Sequence, residues 1–96
     1  MRVMLRAVMD TERSNEAISS GRMPEIVQSL FDRLDPEAAY FCASQGSRSC
    51  TVVFDMRDSS TLPTVVEPLF QELGAKVEIQ PAMNREDLQK GLASIQ

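Results

Sequence analysis

The sequence predicts an α+β fold: one four-stranded antiparallel sheet with helices on a single face. Three observations lead there. Apolar residues alternate with period two in separated short runs, they follow a helical stripe in two longer runs between them, and turn or cap residues mark the junctions.

Taken in order, residues 2–9 alternate. Val3, Leu5, Ala7 and Met9 share one face, and Arg2, Met4, Arg6 and Val8 share the other, which is strand periodicity. Residues 10–20 are polar. Ser14 or Asn15 is placed to cap a short helical turn over Glu16–Ser20, closed by Gly21. Pro24 suits a first helical position, and Ile26, Val27, Leu30, Phe31 and Leu34 follow as one stripe. Asp35-Pro36 stops that helix, because the residue before a proline disfavours the helical region.

Ala38 to Ala43 is the second strand. Gln45-Gly46-Ser47 is a turn, and glycine at its first central position suits a type II′ hairpin. Residues 50–56 form the third strand, with Phe41 and Val52 on one face. Thr61 is a cap for a second long helix beginning at Pro63. Its stripe is Val65, Val66, Leu69, Phe70 and Leu73, and Gly74 ends it. Pro68 lies inside that helix and removes the hydrogen bond to Thr64. Lys76 to Gln80 is the fourth strand. Asn84, with Asp87 three residues on, has the form of a capping arrangement for a last short helix, Arg85–Leu92.

Two strand–helix–strand units joined by a hairpin make the ferredoxin-like βαββαβ pattern, and right-handed crossovers give the sheet order 4-1-3-2. The helix-covered face carries Val3, Leu5, Ala7, Phe41, Val52, Phe54, Val77 and Ile79. The opposite face mixes Met4, Val8, Val53 and Tyr40 with Arg6, Asp55 and Glu78, alongside Cys42, Thr51 and Gln80. A face meant only for solvent would hold fewer of the apolar residues, and a core would not hold the charges. The mixture suits a surface covered by a second subunit around a polar cavity.

Composition bounds the rest. Ninety-six residues are the size of one domain, so residues 1–96 are expected to form a single domain, with 81–96 an extension carrying a short helix. A net charge of −4 without clustered Lys and Arg argues against nucleic acid. No run approaches the roughly 20 apolar residues of a membrane helix, and no secretory signal is visible, so neither membrane nor export is expected. Cys42 and Cys50 then read as reduced thiols of a cytoplasmic protein, pointing to opposite faces across a two-residue turn. There is no histidine, which leaves Cys42 without a base and zinc without its usual ligands; no metal and no cofactor are expected.

Pro36-Glu37-Ala38-Ala39-Tyr40-Phe41, Val53-Phe54-Asp55-Met56, Glu67-Pro68-Leu69-Phe70, Ala75-Lys76-Val77-Glu78 and Pro81-Ala82-Met83-Asn84 together resemble a group of small stand-alone bacterial proteins of the dimeric α+β barrel superfamily. Muconolactone isomerases and cofactor-free monooxygenases share that element order. The resemblance covers nearly the whole chain. It implies two ferredoxin-like sheets packed face to face in a homodimer, not a particular reaction. Oxygenases and haem-handling members of the superfamily commonly rely on histidine or tryptophan, and this chain has neither.

The candidate site is Arg6 flanked by Asp55 and Glu78 on the open face, with Tyr40 as a further hydrogen-bond donor. These four residues are expected to line a cavity for a small organic ligand. The competing account of the charged trio is a cross-strand ion network or a solvated face. Two other functions stay in view: an isomerase or monooxygenase-like enzyme moving a proton on a cavity carboxylate, and a non-catalytic dimerisation module. Leu88, Leu92 and Ile95 form a narrow stripe that packs on its own domain or on a partner subunit.

Overall fold

β1 (Arg2–Val8) runs through the middle of the sheet, hydrogen-bonded on one side to β3 (Ser47–Asp55) and on the other to β4 (Lys76–Pro81), while β2 (Ala38–Ser44) pairs only with β3. All three pairings are antiparallel and the order is β2-β3-β1-β4, the expected 4-1-3-2. The computed structural model describes all of residues 1–96.

Helices α1 (Thr11–Ser19), α2 (Arg22–Leu34) and α3 (Leu62–Leu73) cover one face, and a 3₁₀ turn, Ser59–Thr61, leads into α3. The core lies between them and the sheet. Leu5 and Val52 are cross-strand partners at its centre, each fully buried, with Ile26, Leu30 and Leu34 of α2 and Val65, Leu69 and Leu73 of α3 above them. The expected division of strand residues between faces therefore holds. Phe41 is on the helix side as expected but stays 55% exposed at the edge strand β2, where its ring lies 5.9 Å from that of Phe31 of α2, centroid to centroid.

Several boundaries differ from the sequence expectation; β3, expected over residues 50–56, is Ser47–Asp55, and the ends of several other elements move by one residue. The first helix starts at Thr11, capped by the Asp10 carboxylate, which accepts from the Arg13 backbone N–H at 3.0 Å. Neither Ser14 nor Asn15 caps it. Ser14 is buried, and Arg48 donates to both of them from β3. The second helix starts two residues before Pro24, which is tolerated because first-turn N–H groups have no partner within the helix. The hairpin loop is Gln45-Gly46, with φ of 54° and 77°, so the turn is type I′ and not type II′. The β2–β3 register consequently moves by two residues, setting Phe41 opposite Cys50. A shift of two leaves every side chain on its face. Both cysteines are free, Cys42 exposed and Cys50 buried.

Arginines complete the α3 hydrogen bonding. Pro68 leaves the Thr64 carbonyl without its helical donor, and Arg33 of α2 donates to that oxygen at 2.6 Å. Arg13 of α1 donates to the carbonyl of Gln71, one of the unpaired acceptors of the last turn. Gly74 then turns the chain at φ 54°, and Asp10 N–H donates to the Leu73 carbonyl at 3.0 Å, joining the β1–α1 and α3–β4 junctions.

The last helix, α4 (Arg85–Ala93), has the anticipated capping box, in which Asn84 and Asp87 each bond the other's backbone N–H. None of its residues is buried. Its one hydrogen bond to the body of the protein is Arg2 to Asp87. The molecule measures 54 × 28 × 17 Å, with a radius of gyration of 15.1 Å. About 12–13 Å is usual for a chain of this length.

Candidate functional site

The open face is ordered into transverse rows, because directly opposed residues in neighbouring strands point the same way. One row reads Tyr40–Thr51–Arg6–Glu78 across β2, β3, β1 and β4. The next row toward the hairpin is Cys42–Ser49–Val8–Lys76, and the next in the other direction is Ala38–Val53–Met4–Gln80. Three of the four candidate residues thus stand in one row.

Asp55 is not among them. Its partner on β1 is Arg2, four residues from Arg6, which is about 13 Å along a strand. The expectation that Arg6 lies between two carboxylates is therefore corrected to one carboxylate, Glu78. Strand order correctly made β1 the neighbour of both β3 and β4, but the register places Asp55 at the other end of the sheet.

There Asp55 accepts from the Met1 ammonium group at 2.6 Å. That cation holds the Asp55 carboxyl below the usual carboxylate range, and hence makes it a weaker proton acceptor. Arg2, half-covered on the same face, donates to Glu37 at 2.5 Å and to Asp87 at 3.0 Å. Its guanidinium pKa is raised, chiefly by the hydrogen bond to Glu37. Arg2 thus ties the start of β2 and the root of α4 to the sheet.

Arg6 behaves differently. No carboxylate oxygen lies within ion-pair distance of it, Glu78 included, although Glu78 is its cross-strand partner. Its guanidinium reaches diagonally over β3 and donates to Ser44 Oγ at the end of β2. Beside it is a concavity of about 490 Å³ lined by Arg6, Glu78, Lys76, Asp10, Glu12 and Gln45. Such a pocket presents donors on two cations and acceptors on three carboxylates, one of which, Asp10, is also the α1 cap. Tyr40 lies outside it, two strands from Arg6, and is 69% exposed. No three His, Cys, Asp or Glu side chains come together as a metal site, and no helix is long and apolar enough to cross a membrane.

Sequence reasoning passed over Ser44, Lys76, Asp10, Glu12 and Gln45 as site residues, and Arg2 as the anchor of α4. Alternation had placed Arg2 on the open face and puts Lys76 with Glu78, but the hairpin register is what brings Ser44 within reach of Arg6.

The fold is that of an α+β protein of ferredoxin-like architecture. Among solved structures the chain is similar to a de novo designed protein, Ferredog-Diesel, with a TM-score of 0.51 and 12% identity, over 84% of this chain and 85% of that one. At that identity the likeness concerns fold alone. No protein-family model matches the chain, and a search of curated proteins finds no match.

Proposed function

We propose that this protein binds a small polar organic molecule on the open sheet face, as a homodimer in which two such faces meet around a cavity. The observation that carries the proposal is Arg6: a guanidinium on an uncovered sheet face, with no carboxylate partner, in one row with Glu78 and Tyr40 and beside a concavity of about 490 Å³. Arg2 and Arg22 are paired with carboxylates, and Arg13, Arg33 and Arg48 join separate elements through carbonyl or polar side-chain oxygens, whereas Arg6 reaches a single hydroxyl within the sheet face itself. A ligand bearing a carboxylate or similar acceptor would satisfy Arg6, and a donor on it would meet Glu78. The half-apolar character of the face supports its burial against a second copy, as in the dimeric α+β barrels that the sequence resembles. A cytoplasmic bacterial setting accords with that likeness and with the two free thiols.

The enzyme alternative would draw on Glu78, the carboxylate that shares a row with Arg6, since Asp55 is held by the Met1 ammonium. A pure dimerisation module is favoured by one observation, the wholly exposed α4.

The chain has one tyrosine and no tryptophan, so its intrinsic emission reports Tyr40 alone. Screening small organic acids by thermal shift, with tyrosine emission as a second readout, tests the binding reading. The expected result is a stabilising compound whose effect disappears in Arg6→Ala. If no compound at millimolar concentration stabilises the wild type more than the variant, ligand binding at this row is refuted.

A further inference from the structure

Helix α4 carries Leu88 and Leu92 at 46% and 50% exposure, four residues apart and so on one face, and Ile95, 78% exposed, follows in the turn that ends it. Nothing in its own chain covers that face. A nine-residue helix is too short to hold itself in water, where isolated helices below about 12–15 residues are marginal. The capping box adds only about 1 kcal/mol. Some other surface must receive the stripe.

Resting on the homodimer proposed above, we infer that the receiving surface is a second copy of this chain, with α4 acting as an arm laid across the subunit boundary in both directions. Three observations select a second copy. First, the root of α4 is fixed by Arg2 on the open-face side, so a molecule covering that face also meets the arm. Second, a twofold interface must be complementary to itself, and the open face carries Arg6 and Lys76 together with Glu78, so that cations of one copy can meet carboxylates of the other. Third, the sheet's footprint is small: four strands about 4.8 Å apart and about 20 Å long project roughly 400 Å². Two reciprocal arms, each bearing three apolar side chains, enlarge what a twofold contact can bury.

The experiment is native mass spectrometry and sedimentation of the full chain at micromolar concentration, for wild type and Leu88→Glu with Leu92→Glu. Both positions are exposed, so circular dichroism and urea unfolding should show that the variant still folds. The expected result is a wild-type dimer whose dissociation constant rises about 100-fold or more in the double variant, as loss of two buried leucines implies. Isotope-filtered contacts in a mixed-label dimer should connect the Leu92 methyls to the other subunit. A wild-type monomer would overturn the homodimer itself. A wild-type dimer undisturbed by the double variant, or one with Leu92 contacts only inside its own subunit, would overturn the arm and leave the homodimer standing.

Discussion

Arg6 and Glu78 oppose one another across β1 and β4, yet their side chains do not pair; the Arg6 guanidinium reaches the other way, over β3, to the hydroxyl of Ser44. A hydroxyl satisfies one N–H and leaves the charge uncompensated. In Arg2, four residues along the same strand and face, two carboxylates take up the charge. The contrast divides the open face into a structural end and an end with free hydrogen-bonding capacity.

Arg6→Ala should accordingly leave the fold almost untouched. In the single chain Arg6 is exposed, and substitutions of this kind fall within about 0.5 kcal/mol, so at concentrations where the chain is monomeric the melting temperature should move by no more than about 4 °C. Differential scanning calorimetry checks this, and a larger drop would make Arg6 a structural residue.

The centre of the sheet should respond oppositely. Leu5 is fully buried against Val52, and Leu5→Ala should cost about 3 kcal/mol through lost transfer energy and the cavity left behind. In urea the midpoint should fall while the slope stays constant.

Gly74→Ala probes the junction that holds α1 to the end of α3. The position has φ 54°, and an added Cβ would stand 3.2 Å from Cβ of Asp10 and 3.4 Å from Cγ of Arg13. Left-handed strain of about 1 kcal/mol is expected from the backbone alone, with crowding of the α1 cap added to it. Gly46→Ala, also at positive φ but with nothing within 4 Å, should cost less. Equal unfolding midpoints for the two variants would refute the crowding.

The two thiols should separate kinetically. Burial pushes the Cys50 thiol up from its usual pKa, whereas Cys42 is exposed. Ellman's reagent should titrate one thiol in the native protein and two after denaturation without reductant. Because the raised value belongs to the folded state, stability should also decline as pH rises above about 9.

Acid should act through Asp55 and Asp58. Both carboxyls sit below the usual range, Asp55 through the Met1 ammonium and Asp58 through the Ser60 backbone N–H. A depressed folded pKa contributes stability above the unfolded value of about 3.9, and this is lost as pH falls through the lower folded one. Asp58→Asn keeps an acceptor for Ser60 and removes the titration, so its stability should fall less steeply below about pH 4. Parallel acid limbs for variant and wild type in urea melts would contradict this.

Much of this architecture is readable along the chain. Alternation in residues 2–9 and 76–80 assigns each side chain to a face, because the strand period is two whatever the partner. For the same reason the hairpin could be misjudged by two residues, type I′ at Gln45-Gly46 in place of a turn centred on Gly46-Ser47, with no face exchanged. Helix α1 was less legible. Only Ser14 and Ala17 of its nine residues are buried, too little to write an apolar stripe, and its length depends on the Asp10 cap and on Arg48 arriving from β3.

Element order, the sheet order 4-1-3-2 and the uncovered face with Arg6, Tyr40 and Glu78 on it all follow from local periodicity and the handedness of crossovers. Which of those residues meet does not. That depends on register, set by turn geometry and strand pairing between segments far apart in the chain. Register places Tyr40, Arg6 and Glu78 in one row, sends Asp55 to the Met1 ammonium, and gives Arg6 a hydroxyl where a carboxylate was expected.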